Sequence, residues 1–143
     1  MSVLSPSAAA VLSVAVVDDD PRLRQLLALE LEDLGVAVIC FASAVALLNW
    51  EQLHQLQLIL LDLVMPEMDG LSCLIQLRRG CFSGKVVVFT ANWECSRAQE
   101  LLRAGADDCW NKTAVLERLG PLVEQLRQPL PPQERSAGAP PTP

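Results

Sequence analysis

Basic residues are scarce in this 143-residue chain: 11 Lys and Arg stand against 17 Asp and Glu, for a net charge of -6. A protein that grips nucleic acid through its phosphates needs a basic patch, so direct nucleic-acid binding is not expected. Long apolar runs are also missing. The apolar stretch at residues 8–17 is too short to span a bilayer, which takes about 20 apolar residues. No Lys or Arg precedes Arg22, so the positive start of a secretory signal is lacking. Cys40, Cys73, Cys81, Cys95 and Cys109 are odd in number and form no C-x-x-C pair. They are expected as buried thiols in a reducing cytoplasm, with zinc a minor alternative. No G-x-G-x-x-G or Walker loop occurs, which argues against a nucleotide binder. The class that remains is a cytoplasmic protein without membrane or nucleic-acid partner.

What the chain does have is core material. Hydrophobic residues make up 51% and charged residues 20%, enough to fold alone, and the length leaves room for one domain of roughly 150 residues. Strand-like and helix-like signals alternate from residue 11 to residue 128. The Val-rich run at 11–17 reads as a strand buried on both faces, stopped by Asp18, Asp19 and Asp20. Pro21 opens a helix that Asp20 caps, with Leu23, Leu26, Leu27, Leu31 and Leu34 facing the core and Gly35 ending it. Further strands are expected at 36–41, 58–61, 86–89 and 108–110. Helices are expected after Ser43 (Leu47, Leu48 and Trp50, on through Leu53), after Gly70, at 94–104, and around Leu116, Leu119, Val123 and Leu126.

Five strands alternating with five helices through short loops predict right-handed crossovers and an α/β fold, a parallel sheet covered on both faces. Residues 1–10 are expected as a leader and 11–128 as the domain. Residues 129–143, with six of the ten prolines, are expected as a disordered tail too short for an output domain.

In an open parallel sheet, ligands sit beyond the carboxyl ends of the strands. Those ends carry Asp18, Asp19 and Asp20 on the first strand, Asp62 on the third, Thr90 on the fourth and Lys112 after the fifth. Two carboxylates about 5 Å apart repel by roughly 3 kcal/mol at an effective dielectric near 20, so a compensating cation is required. Lys112 is one. An all-oxygen set too small for a closed cage suits Mg²⁺, which keeps several waters and shares itself with a phosphate. A carboxylate beside metal, lysine and hydroxyl is a site for an acyl phosphate, with Asp as nucleophile.

The stretches VVDDDP (16–21), LILLDLVMPEMDGL (58–71), VVVFTA (86–91) and GADDCWNK (105–112) resemble, in order and spacing, the receiver domain of bacterial two-component response regulators. The resemblance covers about residues 11–128 and implies a flavodoxin-like, doubly wound sheet of strand order 2-1-3-4-5. It implies Asp62 as phosphoacceptor, Asp19 as a direct Mg²⁺ ligand with Asp18 beside it, and the backbone carbonyl of Val64 as a further oxygen. Thr90 would bond a phosphoryl oxygen, Lys112 would pair with the acceptor or its phosphate, and the small Ala91 would leave the phosphoryl group room to enter. A histidine kinase or phosphotransfer protein is the implied donor, with a downstream protein partner and no enzyme activity beyond transfer to and hydrolysis from its own Asp. Asp69 and Gly70 are expected to be structural, and His54 to have no part in phosphotransfer.

Three residues depart from the pattern of that family. Cys109 stands where an aromatic ring usually couples to the Thr, with Trp110 a candidate substitute. Thr113 follows the lysine in place of a proline, so a trans bond is expected there. Pro121, inside the last helix, is expected to kink or break it. A receiver-like module that binds partners constitutively is therefore the alternative reading. An aspartate-nucleophile phosphohydrolase is a third, and it lacks the second acid that class wants where Val64 stands.

Overall fold

The structure, a computed structural model, describes residues 11–91 and 95–128. The expected leader at 1–10, the tail at 129–143 and the first residue of the helix expected at 94–104 lie outside the described residues. In chain order the elements are β1 (Ser13–Val17), α1 (Pro21–Asp33), β2 (Ala37–Phe41), α2 (Ala44–Leu48), β3 (Leu58–Asp62), α3 (Gly70–Arg79), β4 (Lys85–Thr90), α4 (Cys95–Arg103), β5 (Asp108–Asn111) and α5 (Val115–Arg127). Single 3-10 turns occupy Leu53–Gln55 and Lys112–Ala114. The strands pair in parallel in the order β2-β1-β3-β4-β5, as the resemblance implied. Among the described residues no helix is long and apolar enough to cross a membrane.

Because successive strand residues point to opposite faces, each buried strand feeds two cores. Val14 and Val16 of β1 and Leu58 and Leu60 of β3 join Leu27 and Leu31 of α1 and Leu119 and Val123 of α5. Ala15, Val17, Ile59 and Leu61 face the other way, onto Leu47 of α2, Leu74 and Leu77 of α3 and Leu101 of α4. The two layers hold the five strand ends in one rim, which is what places the site.

Several expectations change. Leu26 is 47% exposed: Leu23, Leu27, Leu31 and Leu34 form one stripe along α1, and Leu26 lies about 100° around the helix from it. The second helix stops at Leu48, and Trp50 lies beyond it with its ring edge-on to Phe41 at 5.6 Å. Pro121 does not break the last helix, which runs unbroken from Val115 to Arg127. Its ring is exposed, while Leu119 and Val123 on either side are buried against the sheet and hold the helix there. Cys40 and Cys81 are exposed, so only Cys73 and Cys109 among the described thiols are buried. No described peptide bond is cis, in line with the expectation at Thr113.

Candidate functional site

The rim begins where β1 ends. The Asp18 N–H donates to the carbonyl of Phe41 on β2 at 3.2 Å, which extends the sheet by one residue and draws the Asp18 side chain inward until it is fully buried. Two residues on, Asp20 caps α1 by accepting from the Arg22 N–H at 2.9 Å, and Pro21 starts the helix. The turn between strand and helix is therefore short. Asp18 Oδ1 accepts from the Asp20 N–H at 2.9 Å, and Asp19 is left exposed at the mouth.

Asp62 is the last residue of β3, in register with Phe89 of β4, and is 2% exposed. The loop after it is set by close packing. The Gly70 N–H donates to the Leu63 carbonyl at 2.7 Å, and a Cβ on Gly70 would stand 2.6 Å from the Asp62 carbonyl oxygen. Only glycine fits there. Asp69 caps α3 by accepting from the Ser72 N–H at 2.9 Å, the structural role expected of it. Val64 is 64% exposed on the same loop, and its N–H points to Asp62 Oδ1 at 3.4 Å. Thr90, buried, ends β4, and Ala91 follows it, exposed.

Lys112 closes the rim from the start of the 3-10 turn after β5. Its Nζ donates to Asp62 Oδ2 at 3.3 Å, stands 3.3 Å from Asp18 Oδ2, and lies over the Phe89 ring at 5.6 Å. The carboxylates of Asp18, Asp19 and Asp62 all have an oxygen within 4.8 Å of one another. Three acids thus crowd one rim, and two of them, Asp18 and Asp62, share one ammonium group. Burial, then the Asp18 carboxylate, push the Asp62 carboxyl up to about 7 despite Lys112 beside it. Burial alone would lower Lys112, but Asp62 and Asp18 outweigh it and raise the ammonium above its ordinary value.

The fit to a divalent cation rests on an orphaned atom. Asp18 Oδ2 is sealed from water and accepts no hydrogen bond, although Lys112 is near. A buried carboxylate oxygen without a hydrogen bond is costly, and a hard cation would relieve both this and the repulsion among the acids. The donor set is all oxygen, and among the described residues no cysteine or histidine joins the cluster, which suits a hard cation better than zinc.

Next to this rim the departures take definite form. Cys109 is buried, with its Sγ 3.8 Å from the Ala98 carbonyl of α4, and burial followed by the Asp108 charge pushes its thiol up to about 11. Trp110 does not replace the missing ring. It faces the α1 and α5 side of the sheet, its Nε1–H donating to Asp108 Oδ2 at 2.9 Å and its ring under Arg118 at 5.8 Å. Neighbouring residues of a strand cannot share a face. His54 is exposed in the 3-10 turn before β3, at the opposite end of the sheet.

Two contributors were not read from the sequence. Gly70 reads in the sequence only as a structural position before a helix, and its close approach to the Asp62 backbone appears in the fold. Arg24 donates through Nη1 to the main-chain carbonyl of Asp18 at 2.8 Å; on α1 it reads only as a polar position.

The sequence profile of the response regulator receiver domain matches residues 14–124. The chain is 31% identical to the sensor protein GacS of Pseudomonas syringae pv. syringae over 87% of this chain and 15% of that protein. It is 34% identical to the transcriptional regulatory protein KdpE of Mycobacterium tuberculosis (strain ATCC 25618 / H37Rv) over 66% of this chain and 42% of that one. The chain therefore spans less than half the length of either relative. Among solved structures, the Francisella response regulator 1452 receiver domain superposes with a TM-score of 0.72 at 27% identity, covering 80% of this chain and 95% of that one. With the sheet order, the acidic rim and this profile in agreement, the chain belongs to the response regulator receiver domain family of two-component systems.

Proposed function

We propose that this chain is a cytoplasmic receiver that accepts a phosphoryl group on Asp62 from a histidine kinase or phosphotransfer protein and signals through protein contacts. The observation that carries the reading is the shared cation: two buried carboxylates, Asp18 and Asp62, lie 3.3 Å from one Lys112 Nζ. An Asp62 oxygen attacks phosphorus, the new P–O bond forming as the P–N bond to the donor imidazole breaks. Lys112 stays paired to the acceptor and offsets charge on the transferring group, and the Thr90 hydroxyl donates to a phosphoryl oxygen. Asp19, Asp18 beside it, Asp62 and the Val64 carbonyl would hold Mg²⁺. Bound there, the ion supplies Lewis-acid charge stabilisation for the phosphoryl oxygens. Apart from transfer to and hydrolysis from its own Asp62, the chain is read as having no enzymatic turnover. The test is mass spectrometry after acetyl phosphate and Mg²⁺: wild type gains one phosphoryl group and Asp62→Asn gains none. Equal labelling of both would refute the assignment.

A specific observation favours a second reading. With Cys109 in the usual aromatic position and Trp110 on the opposite face, the ring that couples Thr90 to the α4 and β5 surface is missing. A constitutive interaction module follows from this. Partner affinity measured with and without beryllofluoride separates the two: a change supports the switch, and an unchanged affinity supports the constitutive module.

A further inference from the structure

Arg24 closes the first turn of α1, its N–H bonded to the Asp20 carbonyl at 3.1 Å. Its guanidinium reaches back six residues and donates to the Asp18 carbonyl at 2.8 Å. That carbonyl belongs to the peptide unit joining Asp18 to Asp19. On the other side of Asp18, the N–H is held by Phe41 of β2 at 3.2 Å. Both peptide planes flanking the buried acid are thereby fixed, one by the sheet and one by Arg24. The second plane sets the direction in which Asp19 leaves the strand. Asp19 is exposed, and no protein hydrogen bond to its carboxylate holds it in place among the described residues, so its approach to Asp18 and Asp62 within 4.8 Å depends on this backbone. Arg24 forms no ion pair with a carboxylate among the described residues, so it is not the partner of any one acid. The Arg24 carbonyl in turn accepts from Cys40 Sγ on β2 at 3.9 Å, which ties this turn of the helix to the same strand.

We propose that Arg24 is a positioning residue for the metal ion, fixing the Asp18–Asp19 peptide plane so that the two carboxylates converge with Asp62; the inference rests on reading this rim as a Mg²⁺ site. Outer groups that orient metal ligands typically change affinity 10- to 100-fold when removed. The guanidinium acts here through one directed N–H, so the geometry of the donor matters as well as its charge.

The experiment is calorimetric titration of the full chain with MgCl2, in wild type, Arg24→Ala, Arg24→Lys and Arg24→Gln, at low salt and at about 0.5 M salt, where the Debye length falls to roughly 4 Å. Arg24→Ala is expected to weaken Mg²⁺ binding about tenfold at both salt concentrations. Arg24→Lys and Arg24→Gln, which keep a donor, should each recover part of the loss, and the rise in Tm caused by Mg²⁺ should shrink in the same order. Should Arg24→Ala fail to fold, the comparison of Arg24→Lys and Arg24→Gln with wild type carries the test. Unchanged affinity in folded variants overturns the proposal. So does a loss that vanishes at high salt with Arg24→Lys equal to wild type and Arg24→Gln equal to Arg24→Ala, because that pattern belongs to charge alone. If wild type itself binds no Mg²⁺, the metal-site reading falls, and this inference with it.

Discussion

Lys112 Nζ stands 3.3 Å from Asp18 Oδ2, yet that oxygen, closed off from water, receives no hydrogen bond. The same ammonium group donates to Asp62 at equal distance. One cation is therefore asked to balance two buried acids. Removing it should cost more than a surface ion pair, because it leaves buried charge uncompensated.

Lys112→Met is expected to lower the stability of the metal-free protein by about 2 kcal/mol, less than for a fully buried pair because the lysine is partly exposed. Asp18→Asn in the same background should restore most of the loss, since it removes the acid left stranded. A double-mutant cycle in urea measures the coupling; additive effects would show that the two residues do not interact.

Stability without metal should fall as pH rises from about 4 to about 7. The folded Asp62 carboxyl, pushed up to about 7, keeps a proton that the unfolded chain, at an ordinary 3.8, has already released. The folded state thus binds more protons in this window, which gives stability a negative slope against pH. Lys112, raised in the folded state, contributes stability that is fully present here and is lost only at alkaline pH. Urea midpoints in EDTA at pH 5 and pH 8 test this. Asp62→Asn should flatten the profile and raise stability at pH 8 by on the order of 2 kcal/mol.

Gly70→Ala places a methyl group 2.6 Å from the Asp62 carbonyl oxygen and 2.8 Å from Leu63 Cα, both backbone atoms that cannot step aside. A loss of about 2 kcal/mol is expected, with the β3 end displaced. Thermal unfolding reads the first effect, and weaker Mg²⁺ binding by the folded fraction reads the second.

Arg78 draws together the far end of the molecule. It donates to the carbonyls of Gly105, Phe82 and Gly84 and pairs with Asp107 Oδ2 at 3.0 Å, and that same oxygen accepts from the Val86 N–H. Arg78→Ala should cost about 3 kcal/mol, and Arg78→Lys should recover little because an ammonium group cannot serve this fork. Acceptance of phosphate from acetyl phosphate, measured on folded protein, should be unchanged.

Much of the fold was legible in residue order. Apolar runs that stop at Asp18, Asp62 and Thr90 mark strand ends because an acid or hydroxyl after buried Val and Leu must reach a rim, and Asp20 with Pro21 marks a helix start. Those signals are local, and they also named most of the residues that now surround Lys112. Local signals fail where neighbours decide. Leu26 has the right spacing to join a core face and ends in water, and Pro121 stays helical because Leu119 and Val123 clamp its helix to the sheet.

The amino-acid order alone settled the alternation of elements, the alignment with the receiver family and the identity of the rim residues, since each depends on a few adjacent positions. Tertiary structure alone decided that Asp18 is sealed while Asp19 faces out, that Lys112 is shared between two acids, and that Arg24 and Gly70 hold the backbone beneath them. Those relations join residues up to 94 positions apart, as between Asp18 and Lys112. Strand order, register and layer packing bring Asp18, Asp62 and Lys112 together, and although Arg24 and Gly70 lie within eight positions of the backbone they hold, only the folded rim makes those short contacts bear on the site.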